Sequence, residues 1–218
     1  MTESDIHDAV NLLRVAVRAW RSPAVTIVSQ RDGDPFKVLL SCILSLRTHD
    51  RTTGPASDRL FALADTPEKM LRLTPDRLEG AIFPVGFYRQ KALQILGICR
   101  DVIERFGGRV PGNIDELLSL KGVGRKTANL VLTLGFGELG ICVDTHVHRI
   151  ANRWGYVRTR TPEETEFSLR DKLPREYWIE INDLLVTFGQ NLCTPVSPKC
   201  SICPLISLCD RVGVTRSR

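Results

Sequence analysis

No uninterrupted apolar stretch in this 218-residue chain approaches the ~18 residues that a bilayer core demands, and no apolar segment of a secretory leader opens it. The protein is therefore expected neither to cross a membrane nor to be secreted, and to work in the cytoplasm. Convincing period-two alternation is missing too, which argues against half-solvated sheets and leaves helices as the building material. Charge is not strongly of one sign: 30 basic against 25 acidic residues give +5, which fits a polyanionic partner without establishing one. Cysteine is not scarce. Seven are present, and in a reducing compartment they read as thiols or metal ligands, not as a disulfide framework. An apolar content of 43% rules against disorder and suits one or two compact domains.

Helix starts are easy to place. Thr66-Pro67-Glu68, Thr74-Pro75-Asp76 and Thr161-Pro162-Glu163 each supply an N-cap, a proline in the first turn and an acid that suits the dipole. Ser4 is expected to cap an amphipathic run through Ile6, Val10, Leu13, Val17 and Trp20 that Pro23 ends. Phe36 to Leu46 is densely apolar and turns polar at Arg47-Thr48-His49-Asp50, as a buried helix surfacing into a cleft would. Cys42, Cys99 and Cys142, isolated among aliphatics, read as small core residues. Aromatics make up only 6% of the chain, so the turn Phe83-Pro84-Val85-Gly86-Phe87-Tyr88 stands out; buried packing is its default reading. Helices are expected over Arg89 to Phe106, closed by Gly107-Gly108, and over Pro174 to Phe188. The fold class is all-α.

Two regions carry chemistry. Asn113 to Ile150 opens with an Asn113/Glu116 cap pair and an apolar run, then turns at Gly122-Val123-Gly124 into a second helical run from Arg125 to Leu134. Glycines permit close approach, and amides at the start of a helix favour a phosphate, although a bare G-x-G is more often only a tight connection. Lys126 decides otherwise: a cation in the first turn opposes the macrodipole, and the positive helix end favours the neutral amine, a nucleophile. Asp144 stands where an N-cap belongs and should remain a carboxylate. Amine, carboxylate and phosphate-binding turn together describe attack on a sugar carbon beside a phosphodiester. The second region is CTPVSPKCSICPLISLC, in which Cys193, Cys200, Cys203 and Cys209 are spaced C-x6-C-x2-C-x5-C in a proline-rich loop. Four thiolates so close indicate a metal centre, zinc or an iron–sulfur cluster.

LKGVGRKTANLVL followed by VDTHVHRI resembles the helix-hairpin-helix and catalytic loop of the endonuclease III family of DNA glycosylases, over nearly the whole chain. The resemblance implies a helical-barrel domain, residues 24–140, and a discontinuous cluster domain, residues 1–23 and 141–218, with a DNA cleft between them. It implies that Lys126 attacks the deoxyribose C1′ across that cleft from Asp144, and that the four cysteines hold a [4Fe–4S] cluster. DNA contacts would come from Lys121, Gly122, Val123, Gly124 and Arg125 of the hairpin. Leu46 or Arg47, together with Phe87, would fill the gap left by a flipped nucleotide, Arg47 and Phe87 entering from opposite sides. The partner would be duplex DNA with damaged bases or abasic sites, bound by a monomer associated with the nucleoid of a bacterial or archaeal cell.

The chain departs from the family at Lys121, where proline is frequent, at Leu46-Arg47-Thr48, where a glutamine is common, and at His148, where a large apolar residue is frequent. His146 and His148, at i and i+2 on a helix, point apart and make a poor metal pair. The expected activity is that of a bifunctional glycosylase and abasic-site lyase on oxidised pyrimidines. A mismatch glycosylase would use water and has no need of Lys126. Outside the family, a non-catalytic DNA-binding protein would not need Lys126 and Asp144 together, and an electron-transfer protein would not need the hairpin.

Overall fold

The computed structural model describes residues 1–218 apart from the side chain of Asp32. Among the described residues all regular structure is helical: twelve α-helices, two 3-10 turns and one π stretch. The chain forms two compact units, Ala24–Glu138 and a discontinuous one made of Met1–Pro23 with Leu139–Arg218.

The first unit is built around α3, Pro35–Ser45, which follows α2, Ala24–Asp32. Asp34 caps α3 by accepting from Phe36 N, and Phe36 and every residue from Val38 to Leu44 are buried, so the helix is apolar all round and becomes the centre of its unit. Packed on it are α2, α4 (Asp50–Leu63), α7 (Tyr88–Phe106) and α9 (Arg125–Val131). The short helices α5, Pro67–Leu71, and α6, Pro75–Ile82, start where the threonines dictate: Thr66 accepts from Lys69 N and Thr74 from Arg77 N. α7 buries Ala92, Ile95, Ile98, Cys99 and Val102 along one face. It ends at Gly107, whose φ of +60° lets Gly108 N bond back to Val102 O. α8, Ile114–Leu118, is capped by Asn113 Oδ1, which accepts from Glu116 N at 2.9 Å, and α9 continues as a π stretch, Leu132–Phe136.

The second unit joins α1, Ile6–Val17, to α10 (Thr145–Arg153), α11 (Pro162–Lys172) and α12 (Ile181–Asn191). Ile6, Val10 and Leu13 share a core with Val147, Ile150, Trp154, Leu185 and Phe188. Thr161 caps α11 as its sequence directs. Two expectations fail. Ser4 is not the α1 cap: Asp5 holds that position, and its carboxylate accepts instead from Thr2 N at 2.7 Å, while the helix stops at Val17, well before Pro23. Nor is 174–188 one helix. Tyr177 N and Trp178 N bond three residues back and Trp178 Nε1 donates to Leu173 O at 2.8 Å, which makes a 3-10 turn over Arg175–Tyr177 before α12 begins.

Candidate functional site

In the Ala24–Glu138 unit, the hairpin between α8 and α9 turns on Gly122, whose φ of +83° admits glycine readily and strains other residues. The turn is closed by Val123 N donating to Leu120 O at 3.0 Å and braced by α7, from which Gln94 Nε2 donates to Gly122 O at 3.0 Å. Val123 itself is buried, and its N–H is used in that turn. Lys121 and Gly124 are exposed, and α9 begins at Gly124 without a side-chain cap. No atom of the chain lies where a Cβ on Gly124 would be, so a ligand can approach the backbone there. Lys126 is half-buried in the first turn of α9. Its charge reaches Cys42 in the centre of α3, where burial pushes the thiol up to about 12 and the lysine opposes the shift.

On the same unit, two turns meet. Leu46-Arg47-Thr48 follows α3, and Pro84-Val85-Gly86-Phe87 precedes α7. Arg47 and Phe87 both have left-handed backbones, φ +52° and +57°, unusual for side chains of that size. Both are exposed, Phe87 by 55%, so the default of inward packing does not hold there. They do not stand apart: the Arg47 guanidinium lies over the Phe87 ring, 5.6 Å from its centre. Leu46 is half-buried and shares an open recess of about 650 Å³ with Leu93, Gln94, Lys121 and Gly122.

In the other unit, Asp144 caps α10. Its Oδ1 accepts from His146 N at 2.8 Å and from Val147 N at 2.9 Å, and Oδ2 takes part in neither bond. Farther along α10, Arg149 Nη2 donates to Cys193 O at 2.8 Å, and Arg153 Nη1 donates to Thr194 O at 2.7 Å and to Cys193 Sγ at 3.4 Å. The helix that presents Asp144 thus holds the start of the thiol loop. His146 and His148 serve this framework: His146 Nδ1 pairs with Arg149 Nη2 at 3.0 Å and His148 Nδ1 with the Thr165 hydroxyl at 2.7 Å.

Cys193, Cys200, Cys203 and Cys209 line one recess, walled by Trp154, Phe188 and Leu192. Burial pushes the Cys203 thiol up to about 11 and raises Cys209 as well. Four soft donors in an apolar pocket fit a group that brings its own positive charge.

Residues 40–175 match the family described as HhH-GPD superfamily base excision DNA repair protein. The chain belongs to that superfamily. Within this HhH-GPD superfamily it is of the endonuclease III type, since residues 193–209 match the iron–sulfur binding domain of endonuclease III, which makes the thiol loop an iron–sulfur site. It is 48% identical to endonuclease III of Thermotoga maritima over 84% of this chain and 85% of that one. Relatives from Arabidopsis thaliana and Mus musculus are longer, and the chain spans 48% and 59% of them. The fold is similar to a non-covalent endonuclease III–DNA complex, with a TM-score of 0.85, 32% identity and coverage of 97% and 96% of the two chains. It is also similar to a trapped endonuclease III–DNA covalent intermediate, TM-score 0.83 at 32% identity over 97% of each.

The HhH-GPD fold of this chain also uses residues that the sequence reading passed over. Arg59 donates from Nε to Ala81 O at 2.9 Å and from Nη2 to Phe83 O, and so fixes the aromatic turn from α4. Lys91 lies on the buried face of α7 with its ammonium against the turn after α3. A lysine in register with Ile95, Ile98 and Val102 was the available signal.

Proposed function

We propose that this protein is a bifunctional DNA glycosylase and abasic-site lyase that removes oxidised pyrimidines from duplex DNA. The observation that carries this reading is Lys126, half-buried in the first turn of α9 directly after an uncapped, glycine-lined phosphate-binding turn. The exposed backbone of Gly122 and Gly124, with Lys121 and Arg125, would hold the phosphates without reading sequence. The extruded nucleotide is then attacked at C1′ by the Lys126 amine, and the C1′–N bond breaks as the base leaves with a proton. Asp144 stabilises the positive charge that develops on the sugar and assists the proton transfers. The C1′–O4′ bond then opens, O4′ taking a proton, to give the Schiff base; this acidifies C2′, loss of the C2′ proton expels the 3′ phosphate by β-elimination, and water hydrolyses the imine to free Lys126. Arg47 and Phe87, stacked on each other, would enter the duplex together as the base leaves it.

The covalent endonuclease III–DNA intermediate among the similar structures supports a lyase over a glycosylase that relies on water alone. We assign the iron–sulfur group as [4Fe–4S], held by Cys193, Cys200, Cys203 and Cys209. The four thiols line one recess and supply the four cysteine ligands that such a cluster takes. When bound it supplies a cross-link that orders the loop.

The test is borohydride trapping on duplexes that carry one defined lesion or abasic site. A covalent adduct is expected with wild type. Lys126→Gln should abolish trapping and strand cleavage while DNA binding persists, and an undiminished adduct in that variant would move the nucleophile to another amine.

A further inference from the structure

Lys91 is only 5% exposed, and burial pushes its pKa down to about 8. An aliphatic side chain would fill this position without desolvating a charge, so the lysine calls for a reason. Its ammonium donates to Leu44 O at 2.9 Å, to Leu46 O at 2.5 Å and to Thr48 Oγ1 at 3.2 Å. The two carbonyls lie at the C-terminal end of α3, where helix geometry leaves acceptors without a partner. The Thr48 hydroxyl also donates to Leu46 O and accepts from Gly86 N, each at 3.2 Å. Gly86 closes the arrangement: a Cβ there would stand 2.6 Å from Arg47 O, so only glycine lets the two turns touch. One buried cation and one hydroxyl therefore tie the turn bearing Arg47 to the turn bearing Phe87, and Lys91 itself sits in the first turn of α7, four residues after Phe87, whose carbonyl accepts from Lys91 N at 3.0 Å.

We propose that Lys91 is a positioning residue for nucleotide extrusion: its ammonium locks the two turns into one body, so that Arg47 and Phe87 meet the duplex as a preformed pair. This rests on the reading that the pair enters DNA. Ordering two exposed side chains before binding removes an entropy loss that would otherwise fall on the extrusion step. The chemistry at Lys126 does not pass through Lys91.

The experiment is single-turnover cleavage by Lys91→Met and, as a second variant that keeps the buried ammonium, Thr48→Val, each on a fully paired lesion duplex and on a single-stranded abasic oligonucleotide. Fluorescence of 2-aminopurine opposite the lesion reports unstacking, and thermal melting reports the fold. Both variants should lose on the order of 10-fold in rate on the paired substrate, show a slowed fluorescence rise, and lose little on the single strand. In the Arg47→Ala/Phe87→Ala background, Lys91→Met should bring no further loss, because it acts through that pair. Equal loss on both substrates, or an additive loss in that background, would overturn the inference. If Arg47→Ala and Phe87→Ala themselves make no distinction between paired and single-stranded DNA, it is the wedge reading that fails.

Discussion

Asp144 has two tasks on one carboxylate, and chemistry can separate them. Oδ1 caps α10, a task that asparagine performs about as well as aspartate. Negative charge toward a developing sugar cation is beyond asparagine. Asp144→Asn should therefore keep the Tm and DNA affinity near wild type while kcat falls by on the order of 10². Wild-type turnover would leave Asp144 as a helix cap. Lys91 has a pH signature of its own. Its pKa is depressed in the fold to about 8 from an ordinary 10.5. Between those values the unfolded chain binds the proton that the folded chain has released, so stability rises with pH across that window and the gain is lost as pH falls through about 8. Denaturation curves of wild type and Lys91→Met, compared from pH 7.5 upward, should converge or cross in that direction, and a pH-independent difference would mean that the ammonium is not desolvated.

Among the elements, the turns matter more than the helices they join. Helix starts were readable because a cap and its partner lie three residues apart: Thr66, Thr74, Asn113 and Thr161 all bond as their neighbours dictate. Residues 174–188 were harder, since apolar spacing does not distinguish a 3-10 turn tied down by Trp178 from the first turn of an α-helix. The default of inward packing for an aromatic turn does not hold at Phe87, which is exposed with the Arg47 guanidinium over its ring, because aromaticity alone says nothing about which way a turn faces. Arg47→Ala and Phe87→Ala should each lower kcat/KM on paired lesions, with the loss shrinking on single-stranded or mispaired abasic sites, where unstacking costs less. If Phe87→Ala only lowers the Tm, and activity falls equally on both substrates, the pair is packing.

For the whole molecule, the loop from Cys193 onward has little regular structure, only a 3-10 turn over Cys200–Ile202, and α10 reaches it through Arg149 and Arg153. Its order is expected to depend on the cluster. Anaerobically purified protein should be yellow-brown with about four iron and four acid-labile sulfide per chain, whereas about one zinc and negligible iron would overturn the assignment. Cys203→Ala should cost folding of the loop and DNA binding together, as read by proteolysis and gel shift, and not the chemical step selectively.

What the sequence determined by itself is what short range decides. Helical spacing, caps three residues from their partners and four thiols within residues 193–209 are local patterns, and local patterns survive without knowledge of the fold. The tertiary structure decided the rest. Lys91 finds its acceptors 47, 45 and 43 residues away, and Gly86 finds Thr48 38 residues away. A lysine on an apolar face reads as an error until those carbonyls are in place, because the free energy of a buried charge is set by the groups that fold around it and not by its neighbours in sequence.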